Sequence, residues 1–363
     1  MKYLNFGVVV RDLPPNLKLK NPRNSEGAFI TLENGDIIYI YSRYKGLSSA
    51  DDALSDLCML KSRDGGKTFG EDKVILTCEG DDAVNMMSLS LMRMNNGDIG
   101  LFYLIRPNLT TLQMYLRRSS DGGETWGDRV LCTPEKGYYV VNNDRVTRLS
   151  NGRIIIPAAS HNVCDTFYDM HADTYFFYSD DDGATWKKSK SKLSIQAANC
   201  ESGMQEPGVI ELQPNDLWAW ARTDLGRQYE SFSFDNGETW TACQPSRFTS
   251  PCSPLSMKRD AEGTLFAIWN PIPEYNGRTK GKVFTGGRTP LVIAKSTDNG
   301  KTFSEPVAFE DEEGRGYCYC AMYFTEDALL LAYCAGGEED GSCLAKTRIR
   351  RVEITQLKKL CNK

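Results

Sequence analysis

Along most of the chain, apolar residues fall in short runs broken by turn dipeptides. They do not recur at helical spacing. "GAFITLENGDIIYIYSR", from Gly27, is two β-branched and aromatic runs around an Asn-Gly turn, and "LCMLKSRDGGKTF" from Leu57 adds a third run. The plan returns in "MSLSLMRMNNGDIGLFYLIR" from Met87 and "MYLRRSSDGGETW" from Met114. Such runs with Asn-Gly turns predict antiparallel hairpins. Sustained 3.6-residue periodicity is nearly absent, so the pattern predicts an all-β chain.

One turn recurs in near-identical form. S-x-D-x-G-x-T-(W/F) begins at Ser62, Ser119, Ser179, Ser233 and Ser296, and its aspartates are Asp64, Asp121, Asp181, Asp235 and Asp298. Successive gaps of 57, 60, 54 and 63 residues set a unit of about 60 residues. The aspartate can accept hydrogen bonds from the turn's own amides, the glycine takes positive φ, and the Trp or Phe packs inward. The box is therefore read as a staple for one hairpin, and not as chemistry. Units of this size predict propeller blades of four strands. Five boxes and a box-less stretch over 316–354 predict a six-bladed β-propeller, with "FGVVV" from Phe6 joining the last sheet. Residues 1–363 then form one domain.

Composition narrows the partners. The 363 residues are 40% hydrophobic and 25% charged, with a formal net charge of -5 and no block of like charges. That argues against nucleic acid or an anionic membrane surface, so an acidic ligand must be held by local arginines. No segment reads as a signal peptide or a bilayer span, and the chain reads as cytoplasmic. The 12 cysteines include no CxxC pair; only Cys318 and Cys320 are close, which predicts structural thiols and no zinc site. Asn85 is placed near a cavity, and Met86 and Met87 in packing.

An all-β chain with five such boxes resembles the sialidase superfamily over nearly its whole length. Members are six-bladed propellers that hold a carboxylated sugar with arginines. They cleave it with a tyrosine nucleophile, because a carboxylate nucleophile would be repelled by the sugar acid. "MQEPGVIELQPNDLWAWARTDLGRQY" resembles the glutamate-bearing strand and the arginine that follows it. By that resemblance Glu206 is the tyrosine's base and Arg222 a clamp arginine; the plain reading is a surface glutamate and a solvated arginine. "TGGRTPLVIAKSTDNGKTF" supplies Arg288 as a second clamp. "GYCYCAMYFTEDALLLAYC" resembles the nucleophile segment, and offers Tyr319, ahead of Tyr317. The loop "YSRYKGLSSADDALSDL" offers Asp51 and Asp52 as acid/base, with the register favouring Asp52. No metal or cofactor is implied.

The resemblance breaks in the first unit. Where the family carries Arg-Ile-Pro, this chain reads "NPRNSEGAFITL", with Ser25 and Glu26 in the arginine's place and Arg23 two or three residues early. Glu26 near a pocket would repel a sugar carboxylate. "YYVVNNDRVTRLSNGRIIIPAASH" resembles the third-blade segment of a bacterial sialidase-like subgroup that also carries Ser-Glu-Gly; it adds Asn143, Asp144, Arg145 and His161 as cavity-lining candidates. His161 is one of only two histidines; a strand-end histidine satisfied in the fold is its plain reading. The resemblance implies an exo-acting glycoside hydrolase on a glycan or small glycoside substrate. Two alternatives remain: another sugar, cleaved by a carboxylate pair such as Glu26 and Asp52, or a non-catalytic carbohydrate-binding propeller.

Overall fold

The computed structural model describes residues 2–3, 6–196, 199–273 and 284–360. The chain is all-β, and its antiparallel sheets follow the predicted hairpins. Asn24–Thr31, Ile37–Tyr44, Ser55–Ser62 and Lys73–Leu76 form one four-stranded sheet in chain order. Gln205–Gln213, Asp216–Arg222, Arg227–Ser233 and Gln244–Thr249 form another. Val8–Leu13 pairs with Thr347–Glu353 beside Ala328–Cys334 and Cys318–Phe324, so the N-terminal run joins the last sheet as its pattern predicts. A five-stranded sheet holds Ser256–Arg259, Leu265–Trp269, Leu291–Ser296, Val307–Glu310 and the short strand Lys2–Tyr3.

The second and third units differ from a plain four-stranded plan. They merge into one nine-stranded sheet, because Tyr138–Val140 pairs antiparallel with Ala159–His161 and, through Tyr138, parallel with Leu112. The leading strand of the third unit is thereby split into Tyr138–Val140 and Thr147–Arg148, and the chain between them, with Asn143 to Arg145, leaves the sheet.

Burial falls from the leading to the trailing strand of a sheet. Ile37–Tyr44 is buried at nearly every position, whereas Lys73–Leu76 is exposed or half-buried. Strands buried on both faces need continuous apolar runs, which is what "IIYIY" supplies. Sheets pack face to face: Ile30, Ile38 and Ile40 meet Met86, Leu101 and Tyr103. Each such side chain, fully buried, contributes about 1.5–3 kcal/mol. The leading strands lie side by side, Asn24–Thr31 against both Asn85–Arg93 and Cys318–Phe324, and Ser256–Arg259 against both Gln205–Gln213 and Cys318–Phe324.

The boxes act as their chemistry predicts. In the second, Asp121 accepts from the amides of Glu124 and Thr125 and from the Thr125 and Ser119 hydroxyls, while Gly123 donates to Ser119 Oγ. Asp64 and Asp235 repeat the set. Buried thiols such as Cys58 and Cys132 lie within apolar clusters as small hydrophobes. No helix among the described residues is long and apolar enough to cross a membrane.

Candidate active site

Four leading strands carry a register irregularity near their start, between Ser25 and Ala28, Met87 and Ser90, Gln205 and Gly208, and Cys318 and Ala321. At each, one non-glycine residue takes a left-handed φ: Glu26 at 56°, Ser88 at 56°, Glu206 at 46° and Tyr319 at 56°. Asp144, in the segment that splits the third leading strand, is at 59°. A β-bulge re-aims its side chain, and Glu26, Ser88, Glu206 and Tyr319 all line one cavity of about 370 Å³. Glycines after two bulges let aromatic rings close in behind. A Cβ on Gly208 would lie 2.3 Å from the Trp220 ring, and one on Gly27 2.4 Å from that of Tyr39.

Tyr319 donates its hydroxyl to Glu206 Oε1 at 2.8 Å, and Arg222 Nη1 binds Glu206 Oε2 at 2.8 Å while lying 3.5 Å from the Tyr319 hydroxyl. Gln205 Oε1 takes the other face of Arg222, from Nε at 3.0 Å and Nη2 at 2.7 Å. Arg288 stands over the Tyr319 ring, 5.2 Å from its centroid, with Nη1 3.2 Å from Cys318 Sγ. Burial and the Glu206 carboxylate push the Tyr319 phenol well above its usual value, against the pull of Arg288 and Arg222. The phenol therefore rests protonated, with a carboxylate placed to take its proton.

Arg23 is 2% exposed, and both of its terminal nitrogens are held by neighbours. Nη2 binds Glu26 Oε1 at 2.8 Å and Nη1 binds Asp51 Oδ1 at 2.6 Å and the Ser49 carbonyl at 3.2 Å, with the Tyr44 ring beneath. Ser88 donates to the other Glu26 oxygen at 2.6 Å. Burial raises the Glu26 carboxyl despite Arg23, whereas at Asp51 burial is outweighed by Arg23 with Arg106 and Arg288, and the carboxyl is lowered. Asp52 lines the same cavity at its exposed rim. The far wall is aromatic: Tyr138 and His161 meet edge to face, and His161 stacks on Tyr168. Burial lowers the His161 pKa, and its Nδ1 lies 3.0 Å from the Asp169 carbonyl.

Residues 70–331 match the family described as a BNR repeat-like domain. The chain is 22% identical over 340 residues to a sialidase of Bacteroides fragilis, covering 84% of this chain and 58% of that protein. It is 25% identical over 234 residues to an anhydrosialidase of Macrobdella decora, covering 58% of this chain and 28% of that one. The chain belongs to the sialidase superfamily. It spans well under two thirds of the length of either relative. Among solved structures, the fold is similar to the Hadza microbial sialidase Hz136 at a TM-score of 0.71 and 16% identity, covering 93% of this chain and 66% of that one. A protein of unknown function from Dyadobacter fermentans matches at 0.70 and 19%, covering 96% and 100%.

In this superfamily member, the cavity gathers Glu26, Asp52, His161, Glu206, Arg222 and Tyr319 of the sequence candidates. Arg288 lines an adjoining cavity that shares Met170, Gln205 and Arg222 with the first. Five candidates line neither cavity: Arg23, held behind the wall by Glu26 and Asp51, and Tyr317, Asn143, Asp144 and Arg145. Tyr317 is wholly buried in the apolar core of the last sheets, two residues out of register with the bulge. Asn143 braces the floor, donating to the carbonyls of Gly27 at 3.0 Å and Tyr319 at 3.2 Å. Asp144 accepts from the Met322 amide at 2.8 Å and from Lys258, and Arg145 binds the Leu255 carbonyl at 2.6 Å. Neither of these two lines the first cavity, because the split of the third leading strand turns them to its other side. Asn85 donates to the Ala53 carbonyl at 2.6 Å, tethering the loop of Asp51 and Asp52.

Sequence reasoning missed Ser88, Arg106, Tyr138 and Tyr168 on the cavity wall. Arg106 had a signal. "LFYLIR" parallels "LWAWAR", and Arg106 pairs in register with Asn85 as Arg222 does with Gln205. A separate group, Asp56, Cys78 and Glu79, converges tightly enough to hold a cation. The Lys45 ammonium already fills that role, 2.9 Å from Asp56 and 2.7 Å from Glu79.

Proposed function

We propose that the protein is an exo-acting glycoside hydrolase, built as a six-bladed propeller, that removes a terminal acidic sugar with net retention. The observation that carries this reading is the 2.8 Å hydrogen bond from Tyr319 to Glu206 inside the cavity, with Arg222 on the other carboxylate oxygen. Tyr319 Oη attacks the anomeric carbon as the glycosidic C–O bond breaks, and its proton passes to Glu206. Asp52 protonates the leaving oxygen, then takes a proton from the water that releases the sugar from Tyr319. Asp51 suits this role less, since Arg23 holds it ionised. Arg222 and Arg288 flank the nucleophile and hold the sugar acid. The sialidases among its relatives act on glycans, which supports a glycan or small glycoside as the substrate here.

A specific observation favours a second reading of the substrate. Glu26 and Asp51 occupy Arg23 and withhold it from a sugar carboxylate, which leaves Arg222, Arg288 and the wall's Arg106 to meet one, and this favours a less acidic glycoside. Fluorophore release from an aryl α-sialoside, beside aryl uronides and neutral aryl glycosides, tests both. Turnover of the sialoside, abolished in Tyr319→Phe, supports the first; turnover only of another glycoside supports the second. Sugar binding without any turnover, unchanged in Tyr319→Phe, would leave a carbohydrate-binding propeller.

A further inference from the structure

A second cavity, of about 340 Å³, shares no lining residue with the first. It is built from the later part of the same leading strands. Val209 to Glu211 lie three to five residues beyond Glu206, about 10–16 Å along the strand. Asp144 to Arg148 and Met257 to Arg259 complete the wall, with Trp220 at the back.

Its charge is unbalanced. Arg145, Arg148, Lys258 and Arg259 face two carboxylates, Asp144 and Glu211. Lys258 is paired with Asp144, and Arg148 with Asp182 at 2.7 Å. Glu211 accepts from the Ser150 amide and hydroxyl. Arg145 and Arg259 make no carboxylate pair among the described residues. Arg145 is 4% exposed, hydrogen-bonded through its guanidinium to the Leu255 carbonyl and the Ser256 hydroxyl and standing 5.9 Å from the Trp220 ring centroid, and its Nε has no hydrogen-bond partner. Arg259 reaches the carbonyls of Gly263 and Glu211 and the Asn299 side chain. Leaving a guanidinium buried without a counter-charge is costly. In a chain of net charge -5, a buried Arg145 and a half-buried Arg259 without carboxylate partners on one cavity make a local exception.

We propose that this second cavity binds an oxyanion, a phosphate or carboxylate group, on a compact molecule whose body packs on Val146, Ile210 and Met257. Arg145 and Arg259 supply the counter-charge, and Lys258 the rim. This site is independent of the glycosidase reading.

Calorimetric titration of the full chain at low salt, with inorganic phosphate and in parallel with acetate, tests it. One anion or both should saturate with a dissociation constant of about 1 mM or tighter. The component in question should weaken at least about tenfold in Arg259→Gln and vanish in Arg145→Met, while persisting in Arg288→Gln at the other cavity. Saturation by phosphate alone assigns a tetrahedral anion, and by acetate alone a carboxylate. If Arg145→Met does not fold, Arg259→Gln carries the test, since its half-buried side chain is bound only through neutral groups. No saturation by either anion overturns the proposal, as does binding that survives Arg259→Gln but is lost in Arg288→Gln.

Discussion

The outer turns and the leading strands solve the same backbone problem in opposite ways. Each box turns on a glycine at positive φ, from 81° at Gly66 to 92° at Gly183, and surrounds it with the same Ser, Asp and Thr. The bulges in the leading strands also need positive φ, yet there the chain places Glu26, Ser88, Glu206 and Tyr319, four different side chains, none of them glycine. A non-glycine residue in that region costs about 1–3 kcal/mol and persists only where the surroundings impose it. The boxes are interchangeable because they only hold hairpins. The bulges are individual because each delivers a different group to one cavity. The proposed function sits where the repeat keeps its backbone and abandons its side chains.

The sharpest way to break that contrast is to change a bulge residue conservatively. Tyr319→Phe and Glu206→Gln should each lower glycoside turnover by about 100- to 10,000-fold, with little change in melting temperature, as measured by fluorophore release and calorimetry. Loss of less than tenfold in Glu206→Gln would remove the proton acceptor from the mechanism. A single box substitution, by contrast, should leave turnover per folded molecule intact.

Arg23 tests whether the first bulge is a structural ion pair or a ligand site. Removing one partner of a buried pair leaves the other charge uncompensated, so Arg23→Ala should destabilise the fold by about 3–5 kcal/mol in denaturant titration. Glu26→Gln keeps the shape and removes the repulsion, so it should tighten binding of a carboxylated sugar several-fold, seen as a lower KM with kcat little changed. If Arg23→Ala is as stable as wild type and only raises KM, then Arg23 serves the substrate directly.

The boxes should show themselves instead in acid. Asp121, Asp181 and Asp298 are held at about 2 by the Thr hydroxyl and amide, and at Asp64 the same bonds outweigh burial to reach about 2, against an ordinary value of 3.8. A lowered carboxyl stabilises the fold fully above its unfolded value and loses that contribution as pH falls through its folded one. The melting temperature should therefore fall between about pH 4 and pH 2, and Asp121→Asn should flatten that decline while lowering the neutral-pH value by a few degrees. An unchanged acid profile would deny the boxes their role.

What the sequence made legible follows the same division. The boxes, hairpins and N-terminal strand could be read directly, because a repeated local pattern specifies a local structure. Glu206, Arg222 and Tyr319 could be placed because their segments resemble family motifs, and the structure brings them together. The capture of Arg23 could not be read, since it depends on a loop that folds back to present Asp51. Nor could the turning of Asp144 and Arg145, which follows from a break in the third leading strand that Tyr138 creates by pairing with two neighbours.

Tyr317 and Tyr319 provide the finest test, because a single residue separates them and the bulge decides between them. Tyr319 lies in the bulge and reaches the cavity, whereas Tyr317 precedes the strand and points into the core near Tyr333. The Tyr317 hydroxyl is buried with no hydrogen-bond partner, and burial pushes its pKa upward. An unsatisfied buried hydroxyl costs about 1–3 kcal/mol, which its deletion relieves. Tyr317→Phe should therefore leave turnover within about twofold and hold or slightly raise the melting temperature. The same one-atom deletion at Tyr319 should abolish turnover. Were the Tyr317 variant inactive and the Tyr319 variant active, the nucleophile would lie outside the bulge. The link between left-handed backbone and chemistry drawn from the other leading strands would then fail.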